Sequence, residues 1–253
     1  MKGVNLVAHE DPSVMQNVTL NPFSLLLRSL ELVGPIYGPL LILASPGFVI
    51  LIVAELIPLA GGILNLAYGL IGLPILAGAA FWLVDQHLKR QAPLLGNSLN
   101  RAVSKAVPLV FANILLVLIV LLGMPLLVLP GIYWGVRLAF ALCAIVLEDK
   151  GVTEGLGYSW NLVKGRWWGV FWALLIFGLT VVVAFLAGIF IFVFTVVVIS
   201  PSAETFADRI VEAGSPVAGI AAITAVVPIL NVYVVLLFRS LQQLKGQAVS
   251  YWG

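Results

Sequence analysis

Arg137 is the side chain whose type and position best suit specific chemistry. It is the only charged residue in the apolar segment from Ile132 to Leu147, and it follows Gly131 by six residues, or roughly 9 Å along a helix. A charge at that depth in a bilayer needs either the interface or a partner. Three interpretations follow: Arg137 reaches the outer lipid headgroups, it pairs with Glu55 at the same outer level, or it binds a lipid phosphate or another anion.

Residues that catalyse reactions or bind metals are few and scattered. The histidines are His9 and His87, and the single cysteine, Cys143, lies in an apolar segment where it can form no internal disulfide. The sequence has neither the ligand spacing of a zinc site nor a glycine-rich phosphate loop. It therefore predicts no catalytic, cofactor-binding or metal-binding residues, and it favours a protein that is not an enzyme.

The composition points to a membrane protein. Hydrophobic residues make up 62% of the 253 residues and charged residues only 9%, with a mean hydropathy of +1.13. Soluble domains carry about a quarter of their residues as charged types, so this chain could not cover its surface in water. The formal net charge of +2 is too small to indicate nucleic-acid binding. We therefore expect an all-α integral membrane protein.

Apolar runs long enough for a bilayer predict six transmembrane helices. They lie at about 36–57, 63–84, 108–129, 132–147, 167–199 and 217–238, within a single transmembrane domain of residues 22–239. Residues 1–21 are predicted to form a polar N-terminal tail and residues 240–253 a C-terminal tail. Pro130 and Gly131 are predicted to form the tight hairpin between the third and fourth spans.

Three shorter segments have the spacing of amphipathic helices that lie at the cytoplasmic interface. They cover residues 22–33, a stretch around 99–106, and 153–166. The third carries residues that suit the headgroup level and are predicted interfacial anchors: Trp160, Lys164, Arg166, Trp167 and Trp168. These basic and aromatic helices are interpreted either as plain anchors or as contacts for anionic lipids of the bilayer.

The order of surface helix, span, short outer turn and span occurs three times, which suggests a threefold internal repeat. Placing both termini and the two basic loops on one side collects eleven of the thirteen Lys and Arg residues. The positive-inside rule then predicts that both termini are cytoplasmic. Ala184 and Gly188 on the fifth span predict a close helix contact.

Two stretches resemble a known family of bacterial and archaeal membrane proteins. They are Leu129-Pro-Gly-Ile-Tyr-Trp-Gly-Val-Arg137 and Ser159-Trp-Asn-Leu-Val-Lys-Gly-Arg-Trp-Trp168, with Glu148 between them. The chain resembles the membrane domain found beside glycerophosphoryl diester phosphodiesterases and the YciC-like inner-membrane proteins. The resemblance implies a helical integral membrane fold in the prokaryotic cytoplasmic (inner) membrane. It does not carry over the phosphodiesterase activity, which in that family resides in a separate soluble barrel.

Two functions remain open. The first is a non-enzymatic accessory or scaffold subunit, or an envelope-maintenance protein, which binds a membrane protein partner or forms a homo-oligomer. The second is a carrier or permease for a lipid or small amphiphile, since Pro46, Pro74 and Pro228 fall near mid-membrane and could interrupt helices along a path. Ordinary packing kinks explain the same prolines.

Overall fold

The computed structural model describes residues 21–123, 128–199 and 204–250. Within these ranges, the structure does not describe the side chains of residues 55, 56, 58–60, 123, 128, 129, 197, 199, 204–213, 215 and 247–250. The predicted polar tail, residues 1–21, lies outside the description apart from Asn21. Asn21 caps the first helix, because its side-chain oxygen accepts a hydrogen bond from the amide of Phe23.

The described residues form helices and no strands. The helices are α1 Pro22–Val33, α2 Tyr37–Leu56, α3 Pro58–Ala67, α4 Leu73–Leu88, α5 Leu95–Ser104, α6 Ala106–Gly123, α7 Val128–Leu138, α8 Ala141–Leu147, α9 Val152–Val163, α10 Trp167–Ile199 and α11 Glu204–Ser250. A short 3₁₀ turn, Gly34–Ile36, joins α1 to α2, and a π-helical turn, Tyr68–Gly72, joins α3 to α4.

Five helical segments of the described chain are long and apolar enough to cross a membrane, and a sixth is bent. The five are Pro22–Ala54, Gly61–Leu88, Pro130–Leu147, Trp167–Val196 and Pro216–Gly246. The sixth consists of α5 and α6, whose axes meet at 68°. The fold is therefore an all-α integral membrane protein, as the sequence predicts, with five to six candidate spans where the sequence predicts six.

Three predicted boundaries differ from the structure. Pro130 and Gly131 lie in the first turn of α7, so they are helical and do not form the predicted hairpin. Proline is tolerated in a first turn because the amides there have no partner within the helix. The residues predicted as a C-terminal tail continue α11 to Ser250. The segment 22–33 does form a helix, but it joins the first span through one 3₁₀ turn.

Helix α9 packs along α8 and the end of α7. A Cβ atom added to Gly155 would lie 2.8 Å from Ile145 on α8, so only glycine allows this approach. The Ser159 hydroxyl donates to the carbonyl of Arg137 and accepts the amide hydrogen of Phe140, where α7 gives way to α8. Leu162 is also buried. One face of the third predicted amphipathic helix is thus covered by protein.

Each of the three helices predicted as amphipathic buries one serine. Ser29 on α1 and Ser98 on α5 donate to the carbonyls four residues earlier, and Ser159 on α9 makes the contacts described above. All three are at most 1% exposed. Because each serine is small and its hydroxyl hydrogen-bonds to a backbone carbonyl, the helix can pack closely against the bundle at that point.

The interruption before α4 has an identifiable cause. Pro74 has no amide hydrogen, so the carbonyls one turn earlier lose their donor. The side-chain amide of Asn113 on α6 supplies it, at 3.0 Å from the carbonyl oxygen of Gly69 and 3.4 Å from that of Leu70. The π-helical turn Tyr68–Gly72 is therefore held by a polar contact between two spans.

Helices α10 and α11 form a long, closely packed pair. Helix α10 has 33 residues, about 50 Å, which exceeds a hydrocarbon core of about 30 Å. A Cβ atom on Gly188 would lie 2.6 Å from the Ala218 carbonyl oxygen, and one on Gly219 would lie 2.5 Å from Phe185. The predicted close contact at Gly188 is present. The opposite face of α10 is apolar and exposed.

Candidate functional site

The most highly connected polar group in the structure lies at one end of the bundle, where α4, α8, α9 and α11 meet. We call it the ionic cluster, and it comprises Asp85, Lys89, Glu148, Tyr158, Arg239 and Gln242. Asp85 lies in the last turn of α4 and is 1% exposed, and Glu148 follows the last residue of α8. Arg239 lies in α11, on the C-terminal side of Pro228.

Arg239 is the centre of the ionic cluster. Its Nε and Nη2 atoms lie 2.8 and 2.6 Å from Asp85 Oδ1, and its Nη1 atom lies 2.7 Å from Glu148 Oε1. The other oxygen of Asp85 lies 2.8 Å from Lys89 Nζ. Two cations thus face two carboxylates. Such mutual compensation is what a carboxylate this deeply buried requires.

Gln242 extends the ionic cluster to α9. Its side-chain oxygen accepts from Arg239 Nη1 at 2.7 Å, and its Nε2 atom lies 3.0 Å from Glu148 Oε1 and 2.6 Å from the Tyr158 hydroxyl. Because guanidinium and amide donors occupy both carboxylates, the arrangement suits the joining of helices better than proton transfer. The Arg239 guanidinium thus connects α11 to α4 and to the end of α8, and Gln242 adds α9.

A second charged group joins α5 to the loop after α8. Arg101 Nε and Nη2 donate to the Val146 carbonyl at 3.3 and 3.1 Å, and Nη2 also donates to Asp149 Oδ1 at 2.7 Å. Lys105 Nζ lies 2.9 Å from the same carboxylate. The hydrogen bonds from Lys105 and Arg101 lower the pKa of Asp149 from its ordinary value. Two cations on one exposed carboxylate thus join α5 to the loop after α8.

Arg137 lies between aromatic rings and faces α9. Its Nη1 atom donates to the Trp160 carbonyl at 3.1 Å and its Nη2 atom to the Tyr133 hydroxyl at 2.8 Å. The guanidinium carbon lies 4.7 Å from the Trp160 ring centre and 5.2 Å from that of Tyr133. The Glu55 side chain lies outside the described residues, so the predicted Arg137–Glu55 pair stays a prediction.

Two of the predicted interfacial anchors are linked to Arg137: Trp160 contacts it directly, and Trp167 contacts its partner Tyr133. Trp167 stacks on Tyr133 and donates from its indole nitrogen to the Tyr133 carbonyl at 3.3 Å. Trp168, which is 68% exposed, contacts Trp167 edge to face. Arg166 donates to the Leu244 carbonyl at 3.2 Å, and Lys164 is exposed. Trp160 and Tyr133 also meet edge to face.

A polar cleft of about 310 Å³ opens between the last turns of α4 and helix α5. Its lining consists of Trp82, Gln86, Ala92, Leu94, Asn97, Ser98, Asn100 and Arg101. The Arg101 guanidinium carbon lies 4.9 Å from the Trp82 ring centre. The described residues contain no group of three or more His, Cys, Asp or Glu side chains placed to hold a metal ion.

Sequence reasoning did not find the ionic cluster. Asp85 and Arg239 each mark the polar end of an apolar run, and both are predicted to lie on the same side of the membrane. This shared position at one membrane surface was the signal in the sequence that the two residues could meet. It could not show that these two side chains, 154 residues apart, meet through one hydrogen-bonded pair.

The comparisons with known proteins agree with the fold. The sequence model for the membrane domain of glycerophosphoryl diester phosphodiesterase matches residues 109–244, which is more than half of the chain and runs from α6 into α11. The matched region contains Arg137, Glu148 and Arg239 but not Asp85 or Arg101. No curated protein and no solved structure matches the chain. The chain belongs to the family of the membrane domain of glycerophosphoryl diester phosphodiesterase.

Proposed function

We propose that this protein is a non-catalytic accessory or scaffold subunit of a cell-envelope assembly. The observation that carries the proposal is the ionic cluster, in which Arg239 connects Asp85 on α4 to Glu148 after α8. A carrier that alternates between two states must separate some of its helices in each cycle. Breaking a buried charge pair is strongly unfavourable, so this contact favours a bundle that keeps one arrangement.

The outer face of α10 is the surface we assign to a partner. Val183, Phe190 and Phe194 are each more than half exposed, and the two phenylalanine rings stack on each other. Aromatic side chains on a rigid helix form large contact areas at little cost in conformational entropy. This face lies on the side of α10 opposite to α11, and α11 packs closely against Gly188.

Gentle purification from native membranes at native expression, followed by mass spectrometry, tests the proposal. We expect a protein partner in fixed stoichiometry. The double variant Phe190→Ala/Phe194→Ala should lose it, while Phe111→Ala, a change at a similarly exposed ring on α6, should keep it. A protein that purifies alone from every membrane preparation would contradict the accessory role.

The second candidate is a carrier or permease for a lipid or small amphiphile. It is supported by the π-helical turn Tyr68–Gly72 and by Pro46 and Pro228, which lie inside α2 and α11, where a proline removes a backbone hydrogen bond. Reconstitution into liposomes with fluorescent lipids separates the two functions. Lipid movement between leaflets that depends on the protein would favour the carrier, and it should then fall when Arg137 is replaced by alanine.

A further inference from the structure

The polar cleft between α4 and α5 has the properties of a ligand site. The carboxamide side chains of Gln86, Asn97 and Asn100 line it: Gln86 is partly buried and the two asparagines are exposed, and no side-chain hydrogen bond joins any of them to another residue that the structure describes. Each amide can donate and accept at once. A ligand that matches three such groups carries hydroxyls, which also donate and accept.

Arg101 adds a positive charge to the cleft. Its hydrogen bonds to Val146 and Asp149 use Nε and Nη2, which leaves Nη1 without a partner among the described residues. Together Arg101 and Lys105 carry two positive charges against the single carboxylate of Asp149. A guanidinium nitrogen in this setting favours a phosphate oxygen.

The position of the cleft relates it to the membrane. Trp82 belongs to the span Gly61–Leu88, and α5 begins the bent span that continues into α6. Leu94, which lines the cleft just before α5, is more than half exposed. A polar cleft with an apolar side chain at its rim suits an amphiphile, whose headgroup enters the cleft while its chains stay in the bilayer.

We propose that this cleft binds the headgroup of an anionic, hydroxyl-bearing phospholipid from the leaflet at this end of the bundle. Arg101 contacts the phosphate, and the amides of Gln86, Asn97 and Asn100 contact the hydroxyls. A volume of about 310 Å³ is at the lower limit of pockets for small ligands and suits a headgroup alone. The assignment is independent of any protein partner on α10.

Native mass spectrometry of the whole protein, released from nanodiscs of phosphatidylcholine and phosphatidylglycerol in equal amounts, tests the proposal. We expect phosphatidylglycerol to be retained in excess. Asn97→Leu and Gln86→Leu should each lower that excess about fivefold, the effect of one lost hydrogen bond. The control Asn161→Leu, an exposed amide on α9, should leave it unchanged.

Three outcomes would overturn the assignment. Equal retention of the two lipids by the unaltered protein would remove the evidence for a headgroup site. An unchanged ratio in Asn97→Leu and Gln86→Leu would place the lipid elsewhere. If soluble glycerol phosphate displaced the lipid at equal concentration, the site would belong to a free phosphate ester. Phosphatidic acid, which lacks the hydroxyls, should bind less well than phosphatidylglycerol.

Discussion

Asp85 is the most deeply buried charged side chain of the ionic cluster. Its carboxylate is 1% exposed and faces two cations, Arg239 and Lys89. Removing one partner from such a group leaves the others buried without compensation, which costs far more than the pair contributes when intact.

Replacing Asp85 by asparagine should therefore destabilise the protein by about 3 kcal/mol, since the side chain keeps its shape and loses its charge. Thermal unfolding in detergent, followed by tryptophan fluorescence, measures the change. Asp149→Asn is the matched control and should lower stability much less. Asp149 also pairs with two cations, but it is 66% exposed, and asparagine tolerates its positive φ of 57°.

The double variant Asp85→Asn/Arg239→Gln gives the complementary result. Because it removes charge from both sides of the pair, it should be less destabilised than the sum of the two single changes. Additive effects would mean that Asp85 and Arg239 do not interact in the folded protein.

Arg137 should be needed for folding in the membrane. Arg137→Ala leaves the Trp160 carbonyl and the Tyr133 hydroxyl without their donor, which should cost about 1–3 kcal/mol and lower the yield of folded protein. Arg137→Lys should rescue little, since an ammonium cannot stack between two rings and donate in a planar fork. Yield in membranes and unfolding temperature are the readouts.

Lys164→Ala is the control for Arg137, because Lys164 follows the last residue of α9, is exposed and should tolerate the change. An Arg137→Ala protein that folds normally but loses a measured transport activity would reverse the interpretation and give Arg137 a place in a transport path.

At the scale of elements, the pair α10–α11 depends on glycine at the helix contact. Gly188→Ala would place a methyl group 2.6 Å from the Ala218 carbonyl, so the helices would have to separate, at a cost of about 1–3 kcal/mol. Gly178→Ala on the same helix meets nothing within 4 Å and should be neutral or slightly stabilising. Unfolding temperatures of the two variants should thus differ clearly, with only Gly188→Ala lowered, and equal shifts would contradict the close contact.

The contact between α6 and the π-helical turn gives a second prediction at this scale. Asn113→Leu removes the donor to the Gly69 carbonyl and should cost about 1 kcal/mol. In a Pro74→Ala background that cost should fall, because the alanine backbone supplies the missing amide hydrogen. A double-mutant cycle in unfolding experiments measures the coupling, and purely additive costs would show that Asn113 does not replace that donor.

For the whole molecule, the charge distribution predicts that both termini are cytoplasmic. A fluorescent protein fused after Gly253 should be fluorescent in cells, and alkaline phosphatase fused there should be inactive. The reporters should reverse when they are inserted after Pro201, ahead of α11. An active phosphatase at the C-terminus would show that the bundle has the opposite orientation, with the headgroup cleft in the outer leaflet.

The sequence predicts the elements of this fold better than their contacts. The helix at Pro22–Val33 and the 33-residue helix α10 follow from apolar spacing and run length, which are local properties. The prediction of a hairpin at Pro130 was wrong. Proline is compatible with the start of a helix as well as with a turn, so the residue type alone does not distinguish the two. The partners of Arg239 depend on how distant segments meet, which no local spacing records.

The ionic cluster also has a consequence for biogenesis. Asp85 is synthesised 154 residues before Arg239, so the nascent chain carries this carboxylate through the insertion of several further spans before its main partner arrives. The ionic cluster therefore forms only once α11 has been made. A chain truncated before α11 would leave Glu148 without Arg239 and Asp85 with Lys89 alone. Cellular proteases that degrade incompletely assembled membrane proteins could thus distinguish a chain with α11 from one without it by these carboxylates that lack Arg239.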